Sequence, residues 1–159
     1  MKPIALFLAL CLTASAQEAP KFFRLDFVVK EFDENKLVSA KTYSTFMSTD
    51  ERQKGALIRT GNKVGYSPNP GTTNFVDVGV NIDCSRLQEV NSQLIVQVQA
   101  EVNSIPGGEI LANTLPTVRT NRWNASALIP IGKVSTLFSS DDQNSKRRMQ
   151  VDLTATPVK

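Results

Sequence analysis

The side chains that could do chemistry are few, and their spacing works against most reactions. There is no histidine, which removes Ser-His-Asp and Cys-His catalysis and histidine-ligated metals. Of the two cysteines, Cys11 lies inside an amino-terminal apolar run, which leaves Cys84 without an internal partner. Cys84 falls among alternating apolar residues, so it reads as a buried thiol behaving as a small hydrophobe, with cross-linking between chains as the other reading. Asp77 and Asp83 share one face of an expected strand, but six residues at ~3.3 Å each set them ~20 Å apart. A glycosidase pair needs ~5–9.5 Å. Asp141-Asp142-Gln143-Asn144-Ser145 offers oxygen ligands but has neither the glycine nor the distal glutamate of a calcium loop, and reads as a solvated turn. Lys146, Arg147 and Arg148, with Arg119 and Arg122, form a candidate interaction surface for phosphate or lipid headgroups, the simpler reading being a solvated flank. Asn124-Ala125-Ser126 fits a glycosylation triplet. Trp123, the single tryptophan, suits packing better than ligand stacking. No nucleophile, base and orienting group come together, so the expectation is a non-enzyme with no cofactor and no metal.

The elements that would hold these residues begin after a leader. Met1-Lys2-Pro3 is a short basic start, Ile4 to Leu12 is apolar, and Ala14-Ser15-Ala16 precedes Gln17. That is the layout of a secretory signal peptide cleaved between Ala16 and Gln17. Residue 10, before Cys11, is leucine rather than a small residue, which argues against lipidation. The expected domains are a signal peptide over 1–16 and one domain over 17–159. Cleavage leaves 143 of the 159 residues, enough for a core of real size. Loss of Lys2 lowers the net charge from +3 to +2, too little for a nucleic-acid footprint.

From Phe22 the period is two. Phe23, Leu25, Phe27 and Val29 alternate with Arg24, Asp26, Val28 and Lys30. A polar turn at Asp33 to Lys36 leads to a second strand over Leu37 to Met47. Ala56 to Thr60 and Lys63 to Tyr66 flank Gly61-Asn62, which predicts a tight hairpin there. Ser67 to Thr73, with two prolines and a glycine, predicts a loop. Val76, Val78, Val80, Ile82 and Cys84, then Leu94, Val96, Val98, Ala100 and Val102, alternate with polar residues on either side of a turn at Glu89 to Ser92. These two runs predict an antiparallel pair with one buried and one wet face. Ile105 to Thr114 reads as a loop. Val118 to Ile129, Val134 to Phe138 and Met149 to Ala155 are further strands, with a turn at Gly132-Lys133. About eight or nine strands and no helix after the leader predict an all-β fold, an antiparallel β-sandwich or open barrel.

Two runs resemble the conserved β region of bacterial outer-membrane secretins, the family of type II and type III secretion and type IV pili. Val76 to Val102, VDVGVNIDCSRLQEVNSQLIVQVQAEV, is similar to a strand V-x-V-G-x-x-L-x-V-x-P followed by a turn and L-x-V-x-x-E-V-S. Leu115 to Phe138, LPTVRTNRWNASALIPIGKVSTLF, resembles P-x-V-R-x-R-x-x-x-T-x-V-x-V-x-D-G-x-x-V-x-x-G. The order and the proline-bearing loop between the runs agree. Arg86 stands near the family's first proline, Ile131-Gly132 lacks the aspartate, and Ser139-Ser140 replaces the glycine. The resemblance implies an envelope location and a sheet able to join neighbouring sheets edge to edge. It does not carry over the family's pore or its amino-terminal periplasmic domains.

The reading that follows is an exported, non-enzymatic envelope protein, periplasmic or outer-membrane associated and possible also outside the cell. It would act through protein partners and through self-association of sheet edges, as an accessory or structural element related to secretin-type machinery. Nucleic acid is not expected as a partner, and nothing in the sequence supports peripheral membrane contact. The alternative is a β-barrel or sandwich that binds a small apolar ligand.

Overall fold

The computed structural model describes residues 19–50, 52–53, 55–69, 71–105, 116–142 and 145–158. Among these the chain forms eight antiparallel strands: β1 Phe22–Asp33, β2 Lys36–Ser48, β3 Ala56–Asn69, β4 Thr72–Val90, β5 Gln93–Ser104, β6 Arg119–Pro130, β7 Ser135–Asp141 and β8 Arg147–Pro157. They make two four-stranded sheets, β2-β1-β8-β7 and β3-β4-β5-β6. The sheets face each other as a sandwich and are not closed into a barrel.

The alternation read from the sequence sets which side chains meet. Phe23, Leu25, Phe27 and Val29 of β1 point inward beside Met149, Val151, Leu153 and Ala155 of β8. Opposite them lie Val80, Ile82 and Cys84 of β4 and Leu94, Val96, Val98, Ala100 and Val102 of β5. All are buried, and each large one contributes about 1.5–3 kcal/mol through the apolar area it removes from water. The register pairs Val80 with Val102 and Cys84 with Val98, so one face of the β4–β5 hairpin is core throughout. The inner face of β6 is built the same way. Trp123 and Ile129 are buried, with Ala125 and Ala127 packed beside them.

Two hairpins turn on paired left-handed residues, Glu34-Asn35 (φ 48° and 72°) and Asn91-Ser92 (φ 52° and 61°). Such two-residue turns match the twist of the flanking strands.

The hairpin predicted at Gly61-Asn62 does not form. β3 runs straight through these residues in one register against β4, from Ile58 opposite Ile82 to Val64 opposite Val76. The reversal comes after Asn69, where Gly71 has φ 82°. The proline-glycine signal wins over glycine-asparagine because Gly61 serves a different need. It faces Gly79 across the ladder, and a Cβ on Gly61 would sit 2.4 Å from the Val78 carbonyl oxygen. The predicted loop at Ser67 to Thr73 is correspondingly short. Pro68 sits where the register shifts, on an edge strand, which is where a strand tolerates proline.

β4 is longer than expected for a related reason. A register shift between Cys84 and Arg86 returns Leu87 to the core, where it is 2% exposed, and pairing continues to Val90.

Candidate functional site

The two sides of the sandwich are built differently. On the β6/β7 side, Trp123 of one sheet stacks on Phe138 of the other, ring centroids 4.4 Å apart and planes 10° from parallel. Arg119 of β6 forms an ion pair with Asp142, just past β7, and so ties the same two sheets. On the β2/β3 side the two outer strands also touch, but part of the interval between the sheets is left open. A cleft of about 410 Å³ opens between them, walled by Val29 and Tyr43 of one sheet and Val64, Val78, Val80 and Val102 of the other. Glu31, Lys41, Asn62 and Asn103 make its rim polar. Partial burial raises the Tyr43 phenol above its ordinary pKa. The strands that border this opening, β2 with 13 residues and β3 with 14, are the outer strands of their sheets. Each presents a row of main-chain donors and acceptors unpaired within its sheet.

A ribbon projects beside the cleft. β4 pairs with β5 only from Gly79, opposite Asn103. Among the described residues, 74–78 pair with 62–66 of β3 alone. Val64 and Val76 face each other on one side of this two-stranded ribbon. On the other side Phe75 lies against Gly65 and stays 63% exposed. A two-stranded ribbon is marginal by itself, and this one carries apolar residues on both faces.

The five cations expected to form an interaction surface each have a contact. Arg119 meets Asp142. Arg122 Nε donates to Glu101 at 2.8 Å, and the Arg122 and Asn103 hydrogen bonds hold the Glu101 carboxyl below its ordinary pKa. Lys146 meets Glu34, Arg147 lies 4.0 Å from Asp33, and the Arg148 guanidinium sits 4.6 Å over the Phe32 ring. Lys146 to Arg148 are brought together at the β1–β8 end, whereas Arg122 stands on the outer face of the other sheet. Much of the positive charge is therefore matched within the chain. Ala14, Ala16 and Gln17 lie outside the described residues.

Asp77 and Asp83 do not act together. Each is matched across the ladder, Asp77 by Lys63 at 3.6 Å and Asp83 by Arg59 at 2.5 Å. Asp142 is engaged by Arg119 and Ser145, and residues 143–144 of the proposed oxygen-rich loop lie outside the described residues. Cys84 is 1% exposed, and burial pushes its thiol pKa up to about 12.

One buried polar group falls outside the pattern of alternation. Asp152 lies on the outer face of β8 yet is only 3% exposed. It accepts from Lys30 Nζ at 2.6 Å, Gln150 Nε2 at 2.8 Å and Thr136 Oγ1 at 2.8 Å. Burial pushes its carboxyl pKa up, but the three donors together outweigh that and hold it below the ordinary value. These partners bind β1, β8 and β7 across the sheet. The only sequence signal was an acidic residue between Val151 and Leu153 in a strand read as half-buried.

No protein-family profile matches the sequence, and no curated protein does. Solved structures that resemble this chain include secretins. The secretin domain β-barrel of InvG from the Salmonella SPI-1 injectisome is 9% identical over 88% of this chain and 62% of that one, with a TM-score of 0.49. The type II secretion system secretin GspD of E. coli K12 is 11% identical over 88% and 48%, also at 0.49. Aeromonas hydrophila ExeD is 14% identical over 87% and 46%, at 0.48. This chain spans roughly half to three fifths of the solved chains it matches.

Proposed function

We propose that this protein is an exported, non-enzymatic β-domain of the cell envelope that acts by joining sheet edges with copies of itself or with protein partners of secretin-type machinery. The observation that carries this reading is the open side of the sandwich, where β2 and β3 lie exposed as edges of both sheets at once. One partner could extend both sheets there, with main-chain hydrogen bonds supplying affinity. If a second copy offers its β7 and β6, the contact is head-to-tail and repeats around a ring or along a filament. The secretin-like strand runs favour the same kind of contact and an envelope location. The filled core weighs against a ligand carrier, since the cleft is open and its rim polar.

Two measurements test the reading. Mass spectrometry of exported material should find Gln17, free or cyclised, at the amino terminus; a lipid-modified Cys11 start would overturn the export route. Light scattering of the 17–159 chain should give a mass that rises with concentration. A strict monomer that takes up apolar dyes would overturn self-association and support the carrier.

A further inference from the structure

Six of the ten large apolar side chains that stand exposed among the described residues gather at one end of the sandwich. Phe22 opens β1 and Phe46 lies two residues before the end of β2, both next to Arg24 on the outer face of the first sheet. The Val158 amide, just past β8, donates to the Phe22 carbonyl beside them. Val90 closes β4 and Leu128 lies two residues before the end of β6, on the outer face of the second sheet. Val134, the most exposed of the ten at 66%, stands in the turn just before β7. The two sheets end at one level here. Lys21, before β1, pairs with Glu89 near the end of β4 at 2.9 Å, and the Gly132 amide donates to the Ala155 carbonyl at 2.8 Å. The six side chains therefore form a collar, no more than two residues, or ~7 Å, from the strand tips.

The collar covers both outer faces at one height. A protein docked on either face would leave the opposite one bare, whereas a bilayer interface that takes in a surface ~5–10 Å deep covers both at once. The charge agrees, since Lys133, next to Val134, is exposed and has no acidic partner among the described residues. β1 starts at this end, so the apolar run Ile4 to Leu12 also joins the domain here. We infer that this end of the sandwich docks on an anionic lipid surface, with the collar immersed at headgroup depth and Lys133 on lipid phosphate. The contact is shallow and end-on, and no strand crosses the bilayer in it. It belongs to the single chain and stands whether or not sheet edges join, because those edges run along the side of the sandwich.

The test is flotation of the 17–159 chain, diluted below self-association, with vesicles of phosphatidylethanolamine and phosphatidylglycerol. One variant carries Phe46→Ser and Val134→Ser in the collar. A control carries Leu37→Ser and Phe75→Ser, equally exposed positions away from it. All four side chains lie outside the core, so both variants keep the fold. The native chain should float with the vesicles, the collar variant should lose about tenfold or more of its partition, and the control should match the native chain. A native chain that stays in the aqueous fraction, or an equal loss in the two variants, would overturn the docking end.

Discussion

Replacing Val98 by aspartate and Gln97 by aspartate should have opposite consequences, although the two residues are adjacent. Val98 is 1% exposed and faces Cys84 and Ala125 across its two ladders. Val98→Asp loses the burial of a valine, about 1.5–3 kcal/mol. It also places a carboxylate where the neighbours are apolar, a further cost of several kcal/mol. The sum is comparable with the ~5–15 kcal/mol that stabilises a domain. Part of the charge cost is relieved when the new carboxyl is protonated, so the destabilisation should grow as pH rises from about 4 to 7. Gln97 points outward beside Arg86 and Ser126, so Gln97→Asp should stay within ~0.5 kcal/mol. Asn81→Asp is a finer case. It would sit between Glu101 on one side and Arg59 on the other, so repulsion and attraction nearly cancel at ~0.2–1 kcal/mol each. Urea unfolding followed by Trp123 emission reads all three, because the indole stacks on Phe138 only while the sheets are together. If Gln97→Asp unfolds as readily as Val98→Asp, the outer face of β5 is buried and the one-wet-face account is refuted.

Three further outcomes follow from single sites. The Asp152 carboxyl is held below its ordinary pKa, so its contribution is complete above the unfolded value of about 3.9 and is lost as pH falls through the lower folded value. Asp152→Asn should therefore lower stability at neutral pH and flatten its decline in acid, measured by thermal unfolding across pH; an unchanged acid slope would count against the three-donor site. Cys84, with its thiol pushed up to about 12, should resist a thiol reagent in the native protein and react at once in denaturant, and fast native labelling would contradict its burial. Phe138→Ala removes the ring stacked on Trp123 and should cost at least the ~0.5–1.5 kcal/mol of an aromatic pair while shifting Trp123 emission to longer wavelength; an unaltered spectrum would place the indole elsewhere.

The alternation in Phe23 to Val29 and in Val76 to Val102 was enough to set the faces of β1, β4 and β5, because the side-chain period of a strand is two wherever one face is buried. The same reasoning failed at Gly61-Asn62. A turn signal and a close cross-strand approach both call for glycine, and only Gly79, 18 residues later, decides between them. Asp77 and Asp83 lie on the polar face that the alternation predicts, but their partners, Lys63 directly opposite Asp77 and Arg59 diagonal to Asp83, follow only once β3 is known to be continuous. Asp152 was illegible because its burial comes from Lys30 and Thr136, on strands far away in the chain. The difference between the two sides of the sandwich is likewise a property of strand order. Trp123 and Phe138 meet only because β6 and β7 end up on the same side of different sheets.

Backbone hydrogen exchange tests the edge-joining account most directly. In the 17–159 chain, the outward amides of β2 and β3 have no partner within their sheets and should exchange fast in dilute protein. Raising the protein concentration should slow those amides along both strands while the amides of β1, β4, β5 and β8 keep their rates. If β2 and β3 exchange at the same rate at every concentration, their edges join nothing and the account is contradicted.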